Sequence, residues 1–476
     1  MRPFPLRAAP LWLPALCSFA LAGCAAVPDL GAPPAPRDAA TLDSARSLSA
    51  PAADWPGRVW WAQYGDPQLS RLMEEAVAAA PDLAAAAARL RSAEALAEQA
   101  GAALLPSATA DASVSEAKQS YNTGAPPQAI PRGWNDSGKA GLSVGIDLDF
   151  WGRNRAALAA ATSEAEAARV ELEAARLALT TEIAAAYADL AQLHADRDVA
   201  ASAVRIRSDS LRLVEDRLSN GLENRAAARQ AASAVPAARA ELAAIDESIA
   251  LTRNRIAALL GAGPDRGLAI ERPEIARLHA VGLPGRLPLD LVGRRPDIVA
   301  ARLRAEAAAS RIAVARAAFY PDVNLTALIG VQSLGLSNLT ESGSSYGSVG
   351  PALSLPVFEG GRLSGGYRQA RAGYDAAVAE YDATLTRALR EVADAATSQT
   401  ALATRLREAR AALEESEAAY AIARQRYEGG LSTYLDVLST EEGLISRRRL
   451  VADLEARAFT LDVALVRALG GGFSPS

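Results

Sequence analysis

The sequence of 476 residues contains two copies of one plan, and this internal duplication restricts the fold more than any other feature. The segment Ala80–Leu83 (APDL) recurs as Arg295–Ile298 (RPDI), at an offset of 215 residues. Further along, four matched pairs share an offset of 209 residues: Arg153 with Arg362, Glu182 with Glu391, Arg217 with Arg426, and Gly221 with Gly430. A constant offset over so long a stretch indicates that both copies fold as the same supersecondary unit.

Each copy predicts the order helix, strand, loop, strand, very long helix, turn, helix. In Gly141–Trp151 and Val323–Gln332, apolar and polar side chains alternate with a period of two, which is typical of β-strands. Their partner strands are expected at Ser107–Ser115 and Val349–Val357. The alternation alone also fits a half-buried soluble sheet. Together with the signal and the helices described below, it favours outer-membrane strands, apolar toward lipid and polar toward a water-filled lumen.

Four strands in one chain cannot close a membrane barrel, because the smallest such barrels have about eight strands. An open sheet edge in hydrocarbon leaves backbone N–H and C=O groups without partners, and each such group costs several kcal/mol. Three copies of the chain would supply about twelve strands, an even number that can close. The sequence therefore predicts a homotrimer.

The helices predicted after the strands are unusually long. Leucine and alanine recur at spacings of three and four residues over Leu158–Leu193 and Leu385–Leu413, a coiled-coil pattern in which small alanines let helices approach closely. A helix from Asn154 to Asn220 would extend roughly 100 Å, and Pro236 should bend the helix that returns. The predicted fold class is an α+β membrane protein, with a twofold repeat, a trimeric twelve-stranded barrel and a coiled-coil tunnel.

The first residues predict a lipoprotein signal peptide. Arg2 and Arg7 precede an apolar stretch, as in secretory signals. The stretch ends in Leu21–Cys24 (LAGC), which resembles a lipobox, and the resemblance implies cleavage before Cys24 and acylation of that cysteine. Acyl chains contribute about 0.8 kcal/mol per buried methylene and would anchor the chain in membrane lipid. Ala25 follows in place of an aspartate, which favours the outer membrane, and Ala25–Ala53 is expected to be a flexible tether.

Composition argues against several other classes of protein. A net charge of −5 and a pI near 5.5 leave no basic face for nucleic acid. Cys17 and Cys24 both lie near the N-terminus, and His194 and His279 are far apart, so we expect no metal site. There is no phosphate-binding glycine loop and no nucleophile with a placed histidine. We therefore expect neither an enzyme nor a cofactor.

Several motifs occur in a fixed order along nearly the whole chain. They are Trp60–Trp61 with Asp66–Leu69, Ile146–Arg153 (IDLDFWGR), Thr181–Tyr187 (TEIAAAY), Leu283–Pro284 with Arg294–Ile298 (RRPDI), Ala317–Pro321 (AAFYP), Leu355–Gly361 (LPVFEGG) and Tyr427–Leu431 (YEGGL). This ordered set resembles the outer membrane factor family, the TolC-like (NodT-type) outer-membrane efflux lipoproteins of resistance–nodulation–division tripartite pumps.

The resemblance implies a trimeric β-barrel in the outer membrane that continues as a helical tunnel in the periplasm. It implies an exit duct that passively conducts substrates from a periplasmic adaptor protein and an inner-membrane transporter, usually of the resistance–nodulation–division class. It also implies an equatorial belt around the helices, which we expect from the N-terminal segment, the linker near Pro264–Pro288 and the C-terminus.

The predicted site residues lie where the long helices end. Asn220, Gly221, Gly429 and Gly430 would form turns, since glycine supplies the positive φ of many helix ends. The resemblance places these turns at the periplasmic tip, where the channel narrows and the adaptor docks. It also assigns the gate to the region that contains Tyr434, Asp436 and Ser439, with Arg217 and Arg426 as candidates for salt links.

The resemblance implies an acidic ring at the constriction, with Asp436 on one of its positions and Ser439 where many relatives have a second aspartate. Three carboxylates around a narrow axis would repel one another and bind protons or cations. Alternatively, Asp436 has no role in a gate and only stabilises its helix, because a negative charge interacts favourably with the positive N-terminal end.

Two other functions share parts of this pattern. A type I secretion duct has the same predicted fold, and a structural coiled-coil lipoprotein shares the anchor and the helices without needing four strands.

The chain divides into five predicted segments: a signal peptide at 1–23, a lipidated tether at 24–55, a first repeat at 56–263, a linker at 264–288 and a second repeat at 289–476. The first repeat has its strand pair in 105–151 and its long helices in 154–260. The second repeat has its strand pair in 321–358 and its long helices in 362–469.

Overall fold

A computed structural model describes residues 27–44, 46–48, 51–122, 126, 128, 130–275, 282–285 and 287–474. The predicted signal peptide, Cys24 and His279 lie outside these residues. The chain forms two compact units, and each unit takes segments from both copies of the repeat. The first contains 90–167 and 302–380 with the N-terminal segment up to Pro36, and the second contains 37–89, 168–301 and 381–476.

Three helices of each copy match in order and in length. Their bounds are α1 Pro67–Ala79, α2 Pro81–Ala102, α3 Arg153–Ser219, α4 Arg225–Leu259, α5 Asp265–Leu268, α6 Leu287–Arg294, α7 Pro296–Ala317, α8 Arg362–Glu428 and α9 Tyr434–Ala468. The pairs α2 and α7, α3 and α8, and α4 and α9 have 22, 67 and 35 residues per member. Helix α4 continues through Pro236. The predicted twofold repeat is therefore confirmed.

The strands form one antiparallel sheet in the first unit. Strands β1 Ser107–Ala117, β2 Asn135–Asp147, β3 Asp322–Leu334 and β4 Ser345–Ser354 lie in the order β1-β2-β3-β4. Each strand pairs with its neighbour in the list, so β1 and β4 are the two edges of the sheet. One chain thus contributes four strands and leaves two edges open, as expected.

The register gives the sheet one apolar and one polar face. Cross-strand partners share a face, and Leu142 lies opposite Ile329 while Ser143 lies opposite Leu328. On the first face many large side chains are exposed to solvent in the single chain: Leu142, Val144, Leu325, Ile329, Val349 and Leu353. The other face carries a polar set that includes Thr109, Asp111, Lys139, Ser143, Asn324, Thr326, Gln332 and Ser348.

The bounds of β2 and β4 differ from the predictions. We predicted that β2 extends from Gly141 to Trp151, but it ends at Asp147, and β4 occupies Ser345–Ser354 instead of Val349–Val357. After β2 the chain turns at Asp149, which has a φ of 41°. The Asp149 carboxylate accepts hydrogen bonds from the backbone N–H groups of Asn154 and Arg155, at 2.9 and 3.0 Å. These bonds satisfy two of the free N–H groups of the first turn of α3, so Asp149, although it continues the alternating pattern, caps the helix and is not part of the strand.

The junction between β2 and α3 is held by the motif residues themselves. Arg153 Nη2 donates to Asp147 Oδ2 at 3.0 Å and to Asp322 Oδ2 at 3.2 Å. The Trp151 ring stacks on Tyr320 with centroids 4.6 Å apart, and its Nε1 donates to the Pro321 carbonyl oxygen at 2.8 Å. The two motifs from different copies therefore form a single joint at one end of the sheet.

The core of the second unit is built around aromatic side chains near the start of α1. Trp60, Tyr64 and Tyr187 are fully buried in a cluster with residues of α3, α4 and α9. Asp66 caps α1 by accepting hydrogen bonds from the backbone N–H groups of Gln68 and Leu69. The Tyr187 hydroxyl donates to Asp66 Oδ2 at 2.6 Å. The cap of one helix is thereby fixed to the middle of another.

The N-terminal segment, the linker and the C-terminus contact this unit and one another. Ala52 and Leu283 form a parallel bridge between the N-terminal segment and the linker. Gly472 packs so closely on the backbone of Gly57 that an added Cβ would lie 2.2 Å from the Gly57 carbonyl carbon. The three segments assigned to a belt therefore do meet.

Among the residues that the structure describes, no helix is both long enough and apolar enough to cross a membrane.

The RRPDI motif contains a buried arginine that joins three helices. Arg295 donates to Asp297 through Nε and Nη2, at 3.0 and 2.7 Å. Its Nη1 donates to Glu391 Oε2 of α8 at 2.8 Å and to the Ala468 carbonyl oxygen of α9 at 3.1 Å. Burial lowers the pKa of Arg295, but its two carboxylate partners outweigh this effect, and the pKa is raised overall.

We expect Arg295→Ala to lower the free energy of unfolding by about 2–3 kcal/mol, because it removes charge-assisted hydrogen bonds from a buried site. Arg302→Ala is the matched control, since Arg302 forms an exposed i,i+4 pair with Glu306 on α7; its loss should cost under about 0.5 kcal/mol. Denaturant unfolding of the detergent-solubilised protein measures both values. Equal effects of the two variants would contradict this account.

Candidate functional site

The two long helices end in turns of the same geometry. After α3, Gly221 adopts a φ of 71° and the Leu222 N–H donates to the Arg217 carbonyl oxygen at 2.8 Å. After α8, Gly430 adopts a φ of 76° and the Leu431 N–H donates to the Arg426 carbonyl oxygen at 2.8 Å. A positive φ is easily reached by glycine alone, so both helices stop where the sequence predicts.

Arg217 links the turn of the first copy to the turn of the second. Its guanidinium carbon lies 4.6 Å from the centroid of the Tyr427 ring, and its Nη1 donates to the Glu428 carbonyl oxygen at 3.2 Å. The Tyr427 hydroxyl donates in return to Glu223 Oε2 of the first turn, at 2.8 Å. Burial, and then the Glu223 hydrogen bond, raise the pKa of Tyr427 above that of a free tyrosine. We call Arg217, Glu223, Tyr427 and Glu428 the tip clasp.

A small apolar cluster lies beneath the tip clasp. It contains Tyr434 and five other buried residues: Val214, Ala227, Ala231, Tyr427 and Val437. Burial, followed by the negative charge of Glu441, raises the pKa of Tyr434 to about 12. The Tyr434 ring also approaches the Tyr427 ring, with centroids 6.0 Å apart. Tyr434 is therefore a packing residue of the tip.

Asp436 on the first turn of α9 and Ser439 on the following turn are both exposed. Asp436 Oδ2 accepts hydrogen bonds from the Thr433 backbone N–H at 3.0 Å and from the Thr433 hydroxyl at 3.1 Å. Asp436 thus has the capping contacts that we gave as the alternative to a gate.

Arg426 does not repeat the role of Arg217, although the two positions match. Arg426 is exposed and its Nη2 donates only to the Leu431 carbonyl oxygen of its own turn, at 3.5 Å. Within the described part of the chain, neither arginine forms an ion pair with a carboxylate. Within one chain Arg217 thus contacts an aromatic ring and a main-chain oxygen, and a salt link by either arginine stays a prediction. The two arginines differ because Arg217 faces Tyr427, whereas Arg426 faces solvent.

The sequence analysis missed Glu223, the contact role of Tyr427 and a set of exposed leucines, although Tyr427 and Leu431 belong to the YEGGL motif. Leu222 and Leu431 directly follow the two turn glycines and are 64% and 73% exposed, and Leu435 is 64% exposed. The matched positions of Leu222 and Leu431, at the offset of 209 residues, were the available signal. Tyr427 and Glu223 gave no such signal, because their contact joins two separate hairpins.

The described residues contain no group of three or more His, Cys, Asp or Glu side chains placed to hold a metal ion. His194 lies half-buried on α3, and burial together with the nearby Arg253 lowers its pKa.

Comparison with known proteins agrees with the architecture. Residues 72–262 and 287–471 match the family described as outer membrane efflux protein, so the match falls on both copies of the repeat. The chain is 36% identical over 362 residues to the fusaric acid resistance protein FusA of Burkholderia cepacia, covering 75% of this chain and 68% of that protein. It is 31% identical over 472 residues to the toluene efflux pump outer membrane protein TtgF of Pseudomonas putida, covering 96% and 95% of the two chains.

Solved structures show the same fold. The outer membrane protein VceC of Vibrio cholerae superposes with a TM-score of 0.84 at 46% identity, covering 88% of this chain and all of that one. The outer-membrane channel OprN gives a TM-score of 0.83 at 29% identity, covering 95% and 100% of the two chains. The predicted α+β fold class and outer-membrane location are confirmed. The chain belongs to the outer membrane efflux protein family and serves efflux as a channel of the outer membrane.

Proposed function

We propose that this chain forms, as a homotrimer, the exit duct of a tripartite efflux system for small organic compounds. The carrying observation is the four-stranded sheet, which has one exposed apolar face, one polar face and two open edges. In hydrocarbon those edges must be paired, and a closed ring of sheets would place the polar face around water. Several relatives are named for export of, or resistance to, organic compounds, including toluene and fusaric acid.

The edges are suited to pairing with a second copy of the chain. Strands β1 and β4 have 11 and 10 residues, so they match in length. All neighbouring strands in the sheet are antiparallel, and an even count of four keeps β4 of one protomer antiparallel to β1 of the next. Three protomers then close about twelve strands without an exposed edge.

The tip is the proposed docking surface for a periplasmic adaptor protein. Leu222, Leu431 and Leu435 expose apolar side chains at the two turns, and clustered exposed apolar residues mark interaction sites. Asn220, Gly221, Gly429 and Gly430 shape these turns and are part of the same surface. The family resemblance supplies the third component, an inner-membrane transporter of the resistance–nodulation–division class, which would deliver the substrates.

We expect Leu222→Arg with Leu431→Arg to abolish efflux, because charged side chains would replace the apolar contact with the adaptor. The measurement is the susceptibility of a deletion strain, complemented with each variant, to dyes, detergents and antibiotics, with copper, silver and zinc salts for comparison. The control is Leu222→Met with Leu431→Met, which keeps the surface apolar and should restore resistance.

Outer-membrane levels of each variant must be equal for this comparison. Full resistance in the arginine variant would contradict docking at these leucines. If the wild-type gene restores resistance to metal salts alone, the organic substrate class is overturned. If it restores secretion of a protein without any change in susceptibility, the type I secretion duct is favoured.

The same tip is the proposed gate. Three copies of Asp436 would place like charges around the narrow end of the duct, and the tip clasp would hold the two turns of each protomer together. The aromatic and main-chain contacts of Arg217 contribute about 1–2 kcal/mol to the closed state. Ser439, one helical turn beyond Asp436, would line the same opening without adding charge.

We expect Asp436→Ala and Arg217→Ala each to raise single-channel conductance or open probability in planar bilayers; for Arg217→Ala the open-to-closed ratio should rise about tenfold. Arg426→Ala controls for loss of a tip arginine and should leave both quantities unchanged. Thr433→Val controls for capping, because it removes a hydrogen bond of the cap and keeps the Asp436 carboxylate. An equal rise in Thr433→Val would mean that Asp436 acts as a cap and not as a gate.

A further inference from the structure

Glu441 is an acid enclosed among the helices of the second unit. It lies on α9, and only 1% of its surface is exposed. Tyr434, Val437 and Leu444 are buried at helical spacing around it on the same helix, so Glu441 occupies a position of the core-facing stripe. Burying an ionised carboxylate costs several kcal/mol unless partners replace the lost water.

The partners of Glu441 replace that water only in part. Its Oε2 accepts a hydrogen bond from the Ser210 hydroxyl of α3 at 2.7 Å. Its Oε1 lies 3.6 Å from Arg207 Nε, beyond hydrogen-bond range. In the described part of the chain, both Oε1 and this Nε are buried without a hydrogen-bond partner. One carboxylate oxygen is therefore satisfied, and the other is stabilised only by a neighbouring charge.

Groups from three helices face this carboxylate. Helix α3 supplies Arg207 and Ser210, α8 supplies Tyr420, and α9 supplies Tyr434 and the adjacent Glu442. Burial raises the pKa of Glu441, and Glu442 adds to this rise. The Ser210 hydrogen bond and the Arg207 charge oppose it without cancelling it, so the pKa of Glu441 stays above the ordinary glutamate value.

We propose that Glu441 is a proton-linked positioning residue that sets the balance between the closed and open tip. The contact joins α3 of the first copy to α9 of the second, and a few residues further along the tip clasp joins α3 to α8 of the second copy. This inference rests on the proposed function, in which the hairpins separate at the tip when the duct opens. Separation of α9 from α3 would admit water to Glu441.

The direction of the pH effect follows from linkage. A carboxyl that is buried in the closed state and hydrated in the open state binds its proton more tightly in the closed state. Falling pH therefore stabilises the closed tip, and rising pH favours opening. The change in the open-to-closed ratio is limited to roughly tenfold for each unit by which the two pKa values differ.

The test is the open probability of the full-length protein in planar bilayers between about pH 5 and pH 8. Wild type should open less as the pH falls. Glu441→Gln mimics the protonated acid and keeps an acceptor for Ser210, so its open probability should stay at the low-pH level of wild type throughout. Ser210→Ala and Arg207→Gln remove groups that favour the ionised form, and should move the midpoint of the profile to higher pH.

Two control variants distinguish the effect of Glu441 from the effects of two other carboxylates on the same helix. Glu442→Gln removes the adjacent, exposed carboxylate, whose charge raises the pKa of Glu441, so it should keep the pH dependence and move its midpoint to lower pH. Asp436→Asn removes the proposed ring charge. Its open probability should still fall at low pH, because Glu441 is unchanged in this variant. A Glu441→Gln channel with the full wild-type profile would overturn the role of Glu441 and leave the duct intact. Absence of any channel in wild type would overturn the duct proposal and this inference together.

Discussion

Backbone N–H and C=O groups at the edge of a sheet need partners, and in hydrocarbon no water can supply them. The sheet of this chain has its apolar side chains on one exposed face and two unpaired edges. Both features are unfavourable for an isolated chain in water, since exposed apolar strands at open edges promote association. They are satisfied together when sheets from several protomers close around a polar interior. Because one chain supplies only four strands, a functional barrel therefore requires an oligomer.

The duplication explains how a chain with few chemical groups builds such a sheet. Each copy provides one strand pair and one pair of long helices, and the long helices have equal lengths in the two copies. The copies have nevertheless diverged in their contacts. Glu391 binds the buried Arg295, whereas the matched Glu182 lies 3.6 Å from Arg255 at the surface. At the tip, Arg217 crosses to the other copy and Arg426 does not. The copies thus differ both around the buried Arg295 and at the tip.

Periodicity and the constant offsets predicted most of the fold. The long helices begin and end within about one residue of their predicted limits, because glycine turns and apolar spacing are local signals. The end of β2 was wrong because Leu148 and Phe150 continue the alternation, while Asp149 turns the chain to cap α3.

The candidate site was only partly predictable. Gly221 and Gly430 are local signals, and the structure places them at the turns. Glu223 and Tyr427 meet across two hairpins, and no spacing within either segment reveals such a contact. Glu441 could have been identified from the sequence, because it is an acidic residue within an apolar stripe of α9. The segment boundaries, the lipidation of Cys24 and the gating role of Asp436 remain predictions.

The central claim is that β4 of one protomer pairs with β1 of the next, and disulfide cross-linking tests it most directly. Cysteines on the polar face are combined pairwise between strands, from Thr109, Asp111 or Ser113 on β1 and Tyr346, Ser348 or Gly350 on β4. Directly opposed residues on paired strands have Cβ atoms close enough for a disulfide. At least one pair should give a covalent trimer on oxidation, and a cysteine on β1 alone should not. Failure of every pair in correctly assembled outer-membrane protein would contradict the account.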